Sequence, residues 1–125
     1  MLFDTDIIIW VQRKNLKAAR LIDRAPTREI SIQTYMELMQ CARSKKEHIV
    51  IAKFLHSFNF QVLPLTENIG HRAAVYIEEY TLQNGLRAGD AIIAATAVES
   101  NLILSSGNAK HFKCIKDLQL KTFRL

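Results

Sequence analysis

Leu2-Phe3-Asp4-Thr5-Asp6-Ile7-Ile8-Ile9-Trp10 places two carboxylates, Asp4 and Asp6, inside an apolar run. An ionised carboxylate in apolar surroundings costs several kcal/mol unless a cation, a donor or solvent compensates it, so both residues need a structural reason. The short apolar segment before Asp4 reads as a strand, and Ile7, Ile8 and Trp10 read as the buried side of a helix. Asp4 then falls where strand becomes helix. In open α/β sheets ligands bind at that place, outside the carboxyl end of a strand. Asp is also a common helix cap, and this stretch by itself leaves the two readings open.

The pattern outward from this stretch alternates strands with helices. Helices are predicted over 6–13 and 16–24, the second turning at Ala25-Pro26, before a short alternating strand over 29–32. A helix over 33–43 presents Tyr35, Met36, Leu38 and Met39 as its apolar face. Glu37 lies among them, either near the core, where an isolated acid is costly, or turned to solvent. An amphipathic helix over 45–58 leads to a strand over 60–63 closed by Pro64, and a long helix begins at Thr66 and stops at Asn84-Gly85. Gly89-Asp90 opens an almost uncharged helix over 91–98, which must be buried on most sides. A strand over 102–105, a loop or turn over 106–112 and a last strand over 120–124 complete the chain.

Composition sets the class. A chain of 125 residues, 49% apolar and 23% charged, is expected to form one globular domain spanning 1–125 with a core of its own. Its longest apolar run is too short to span a bilayer and its start carries no export signal, so a cytoplasmic location away from membranes is expected. Cys41 and Cys114 match no CxxC spacing and read as reduced packing residues. His48, His56, His71 and His111 show no metal-ligand spacing, and no phosphate-binding glycine loop or GxSxG elbow is present. Tyr35, Tyr76 and Tyr80 sit at helical spacing and read as packing residues.

The net charge is +5, and its distribution matters more than its sum. Arg13, Lys14, Lys17, Arg20, Arg24 and Arg28 form one group, Arg43, Lys45, Lys46 and Lys53 a second, and Lys110, Lys113, Lys116, Lys121 and Arg124 a third. A polyanion such as RNA or DNA, or an acidic protein, is the natural partner for such a surface. Each cluster taken singly is equally well a solubilising face.

Strands separated by helices throughout predict a parallel sheet flanked by helices, because parallel neighbours need long crossovers. Right-handed crossovers then gather the strand ends on one side. Asp4 at the end of the first strand and Asp90 at the start of the buried helix meet there, with Glu37 reaching over from its own helix. Three carboxylates in one place repel each other and their pKa values rise. With Mg²⁺ or Mn²⁺ the cluster becomes a site of oxygen ligands.

Phe3-Asp4-Thr5-Asp6-Ile7-Ile8-Ile9-Trp10, Thr34-Tyr35-Met36-Glu37-Leu38 and, most specifically, Leu86-Arg87-Ala88-Gly89-Asp90-Ala91-Ile92-Ile93-Ala94-Ala95-Thr96-Ala97 resemble the successive acidic motifs of PIN-domain ribonucleases, in particular the VapC-type toxins of toxin-antitoxin pairs. The likeness covers nearly the whole chain in order and spacing. It implies a three-layer α/β/α sandwich around a parallel five-stranded sheet. It also implies a Mg²⁺- or Mn²⁺-dependent endoribonuclease acting on RNA, a cognate antitoxin that blocks the site, and a homodimer. Asp4, Glu37 and Asp90 match the family's acidic positions directly.

One departure stands out. Where the family often carries a fourth acid, this chain has Asn108, a neutral ligand at most, which supports one metal better than two. Asp6 either replaces the missing carboxylate or faces water. Ser106 is either a turn hydroxyl bonding nearby backbone or a partner for Asp4. Arg87 or Lys110 could assist a leaving group, and Arg87 could equally be an exposed residue at a helix start. Hydrolysis in such a site leaves a 5′-phosphate and a 3′-hydroxyl. The alternative is a PIN-like module that holds RNA or protein on its basic surface without cutting, and Asn108 is the best argument for it.

Overall fold

Leu2 and Phe3, the whole of strand β1 (Leu2–Phe3), are both fully buried because successive strand residues point to opposite faces and both faces are covered. The computed structural model describes residues 1–125. After β1 come α1 (Thr5–Gln12), α2 (Leu16–Arg24), β2 (Glu29–Ser31), α3 (Ile32–Cys41), α4 (Lys45–Ser57), β3 (Gln61–Leu63) and α5 (Glu67–Asn84). Then follow α6 (Ala88–Glu99), β4 (Leu104–Ser106), α7 (Ala109–Phe112) and β5 (Leu120–Thr122). All neighbouring strands pair in parallel, in the order β3-β2-β1-β4-β5. The fold is an α/β/α sandwich, as expected.

Two cores lie on either side of the sheet. Leu2 and Leu104 pack with Ile69, Ala73 and Tyr76 of α5 and with Ile93, Ala94 and Ala97 of α6. Phe3, Ile30 and Phe123 pack with Ile7 and Ile8 of α1, Ile22 of α2, Leu38 of α3 and Ile51 and Leu55 of α4. Burying a side chain of this size stabilises by about 1.5–3 kcal/mol. Six residues of α6 are buried, which accounts for its lack of charge. No helix is long and apolar enough to cross a membrane.

Chain order reverses at β1, with β2 on one flank and β4 on the other. That switch point opens a crevice beyond the carboxyl ends of β1 and β4, where α/β sheets bind ligands.

Most boundaries lie within one or two residues of expectation, and the departures have local causes. Ile32, expected in the second strand, begins α3 because the Ser31 Oγ accepts the Thr34 amide as a cap. α6 begins at Ala88 rather than Ala91, which places Asp90 in its first turn. Ser106, expected in a loop, ends β4, and residues 109–112 form the short α7. The turn-forming residues of Ser105-Ser106-Gly107-Asn108 hid a buried strand end, because both serines lie between β1 and β5 and are fully enclosed. Gly85 ends α5 in the left-handed region at φ 69°, where a side chain would be strained.

Candidate functional site

Asp4 leaves β1 in extended conformation and caps α1, its Oδ1 accepting the Thr5 amide at 2.8 Å. Its Oδ2 accepts the Ser106 hydroxyl at 2.6 Å. The capping residue and the candidate ligand are therefore the same residue. Ser106 also plays both of its expected parts, since its Oγ accepts the Asn108 amide at 2.9 Å. Only 5% of Asp4 is exposed. That burial, with the charges of Asp6 and Glu37, pushes its pKa up to about 7 against the opposing bonds from Ser106 and Thr5.

Asp6, in the first turn of α1, is turned into the same cleft rather than to open water. Its Oδ2 accepts the Gly107 amide at 2.8 Å, while Oδ1 is buried without any partner. Burial raises its pKa, and the Gly107 amide opposes the rise. Gly107 is required here: a Cβ at that position would stand 2.5 Å from Asp6 Oδ2.

Glu37 comes from α3 and is half-buried, not turned fully to solvent. The Thr5 hydroxyl donates to Oε1, and the Gln33 amide donates to Oε2 at 3.3 Å. Thr5 also bonds the buried Thr34 at 3.1 Å, so α1 and α3 are tied together at the carboxylate. Asp90 sits in the first turn of α6, its Oδ2 3.4 Å from the Arg87 amide and 3.6 Å from His111 Nδ1. Gly89 lets α6 approach α3 closely, since a Cβ there would lie 3.4 Å from Glu37 Oε2.

Asp4, Asp6, Glu37, Asp90 and Asn108 all line one cleft of about 420 Å³. Arg87 caps α6 and Lys110 lies on α7; both are exposed and neither lines the cleft. No three acidic, histidine or cysteine side chains are already drawn into a metal-holding cluster. The donor set nonetheless fits a hard divalent cation. It is made of oxygen ligands, none of the lining residues is Lys, Arg or His, and Asp6 offers a buried oxygen with no protein partner. Thr5, Gln33 and the Gly107 amide were not legible as site groups. The only sequence signal for Thr5 is its position between two acids.

The comparisons with known proteins agree with this fold. A toxin-antitoxin complex from Klebsiella pneumoniae contains a chain 30% identical at a TM-score of 0.80, with 99% of this chain and 98% of that one covered. VapBC-1 from nontypeable Haemophilus influenzae matches at 24% identity and a TM-score of 0.78, over 97% and 96% of the two chains. VapBC2 from Rickettsia felis, bound to a DNA fragment from its promoter, matches at 20% identity and 0.79, over 98% of each chain. The latter two bear on the fold alone. None of the curated proteins matches the sequence. The family model described as PIN domain matches residues 1–116, and with that span, this sheet order and this cleft the chain belongs to the PIN domain family.

Proposed function

We propose that this protein is the toxin of a toxin-antitoxin pair and acts as a Mg²⁺- or Mn²⁺-dependent endoribonuclease. The observation that carries the reading is the cleft itself, where four carboxylates and Asn108 face one another without a lining cation and Asp4 is desolvated. Asp4, Glu37 and Asp90 would hold the ion, with Asp6 and Asn108 as further oxygen donors. When bound, a divalent ion supplies the positive charge that polarises a phosphoryl oxygen and acidifies water.

The chain's own residues do the positioning. Ser106 and the Thr5 amide fix both oxygens of Asp4, Thr5 and Gln33 fix Glu37, and the Gly107 amide fixes Asp6 while leaving its other oxygen free. His111 stands beside the cleft, its Nδ1 3.6 Å from Asp90 Oδ2. Water adds to phosphorus and the bond to the 3′-oxygen breaks, leaving a 5′-phosphate and a 3′-hydroxyl. No 2′-hydroxyl takes part in this chemistry.

An apolar groove supports the antitoxin. Ile9, Leu38, Ala42, Val50, Ile51 and Phe54 line it between α1, α3 and α4, and it shares Ile9 and Cys41 with the acid cleft. An antitoxin segment seated there can extend a basic side chain into the carboxylates, where charge-assisted hydrogen bonds are strong. A partner that protects equally well after its basic residues are neutralised overturns that account. A homodimer is also expected, through exposed apolar residues such as Ile49 of α4 and Val75 of α5; a monomer in sedimentation at micromolar concentration would remove it.

The decisive experiment incubates RNA with the purified protein. Cutting in Mg²⁺ or Mn²⁺, loss of cutting with chelator, and a folded but dead Asp90→Asn are the expected results. Undiminished cutting by Asp90→Asn excludes the site. RNA binding without cleavage in either metal assigns the chain as a binding module, the alternative that Asn108 favours.

A further inference from the structure

A second concavity, of about 610 Å³, lies on the far side of β4 from α6, between α2 and the edge strand β5. Lys17, Arg20 and Arg24 stand along one stripe of α2, at i, i+3 and i+7. Lys121 and Arg124 face them from β5 and the segment beyond it. No acidic residue lines the groove and none of these five cations takes part in an ion pair. Lys17 Nζ lies 5.9 Å from the centre of the Phe123 ring, which itself lines the groove, whereas the neighbouring cations after α1 and before β2 are committed elsewhere. Arg13 lies over the Trp10 ring, and Arg28 donates to the carbonyls of Ile22, Asp23 and Phe58.

Five like charges from two separate segments repel one another across a concavity, and an anion seated there relieves that cost. Lys121 alone could serve to guard an edge strand against pairing with another chain. That role does not account for Arg20, Arg24 and Arg124. A further group also points to an absent ligand. Ser105 contributes to the floor of the groove, is fully buried, and its Oγ has no hydrogen-bond partner. An unpaired buried hydroxyl is costly, and an oxygen ligand reaching that floor would relieve the cost.

The groove adjoins the acid cleft, separated from it by Ser106 and Gly107. Ser105 faces the groove and the next residue, Ser106, holds Asp4. A Cβ on Gly107 would lie 2.5 Å from Asp6 Oδ2 and 3.6 Å from the carbonyl of Phe123, which lines the groove. We infer that this groove holds the phosphodiester backbone of an RNA strand whose scissile bond lies in the acid cleft, an inference that rests on the nuclease reading. Adjacency to the cleft, across Ser106 and Gly107, favours RNA over an acidic protein segment.

Fluorescence anisotropy with a labelled single-stranded RNA, in chelator so that nothing is cut, tests it. Each phosphate contact on a single strand contributes about 0.7 to the slope of log K against log salt. The triple variant Arg20→Ala/Arg24→Ala/Lys121→Ala is expected to lower that slope by about 2 and weaken binding tenfold or more. Lys45→Ala/Lys46→Ala/Lys53→Ala removes the same charge from α4 and is expected to weaken binding less than threefold, roughly. Ser105→Ala is expected to weaken it about threefold. Should the first triple variant be misfolded by circular dichroism, Lys17→Gln/Arg124→Gln replaces it, with a slope change of about 1.4.

Equal losses from both surfaces, or an unchanged slope, overturn the inference. Loss of polyglutamate binding with RNA binding intact makes the groove a protein seat and also overturns it, as does tighter binding of the deoxy strand of the same sequence. A wild-type protein that cuts no RNA yet shows the lowered slope in the triple variant keeps the groove and removes the nuclease. A protein that cuts RNA with no change in slope does the reverse.

Discussion

Asp4 is held at a cost in the metal-free protein, and the cost has a sign. Its folded pKa, about 7, lies above the ordinary value of 3.8, so the folded chain binds the proton more tightly than the unfolded one. The stability this confers is complete below about 3.8 and is lost as pH rises through about 7. In chelator, melting temperature is therefore expected to fall between pH 5 and pH 8. Asp4→Asn should flatten much of that fall and gain on the order of 10 °C at pH 8. A variant whose pH profile parallels the wild type would show that the buried charge is not the cause. Ser106→Ala removes the hydroxyl that steadies the ionised form, and titration calorimetry should then show Mn²⁺ binding weakened about tenfold.

At the scale of elements, the joints between strand and helix carry the site. Gly107 joins β4 to α7 with its amide on Asp6, and Gly107→Ala pushes a methyl group against that carboxylate. Destabilisation of about 1–3 kcal/mol is expected in denaturant unfolding, together with loss of metal binding. Gly85 ends α5 at φ 69° and lies outside the cleft. Gly85→Ala should cost about 1 kcal/mol and leave metal binding unchanged, which separates a stability effect from a site effect. The joints were also where the sequence was hardest to read. Asp4, Glu37 and Asp90 stood out because acids amid apolar residues demand a reason. Gly107 was hidden, and Ser106 was legible only as one of two readings, because serine, glycine and asparagine read as turn formers whether or not a sheet encloses them. The tie between Thr5 and Glu37 spans α1 and α3 and has no periodicity to betray it.

For the whole molecule, the alternation of strands and helices was enough to predict a parallel sheet. The order β3-β2-β1-β4-β5 was not readable from periodicity, which says nothing of which strands become neighbours. Charge clustering was legible too, but only the fold separates Lys17, Arg20 and Arg24 from Arg13 and Arg28 and sets them opposite Lys121 and Arg124. The central strand is made first and waits about a hundred residues for its second neighbour, a long-range pairing of the kind that slows folding. A ribosome that has translated Asp4, Glu37 and Asp90 has therefore not yet made Ser106 or Gly107, which fasten Asp4 and Asp6 in place. The acid cleft is therefore fastened by residues that emerge late, and its geometry is completed only as the last strands of the sheet are made.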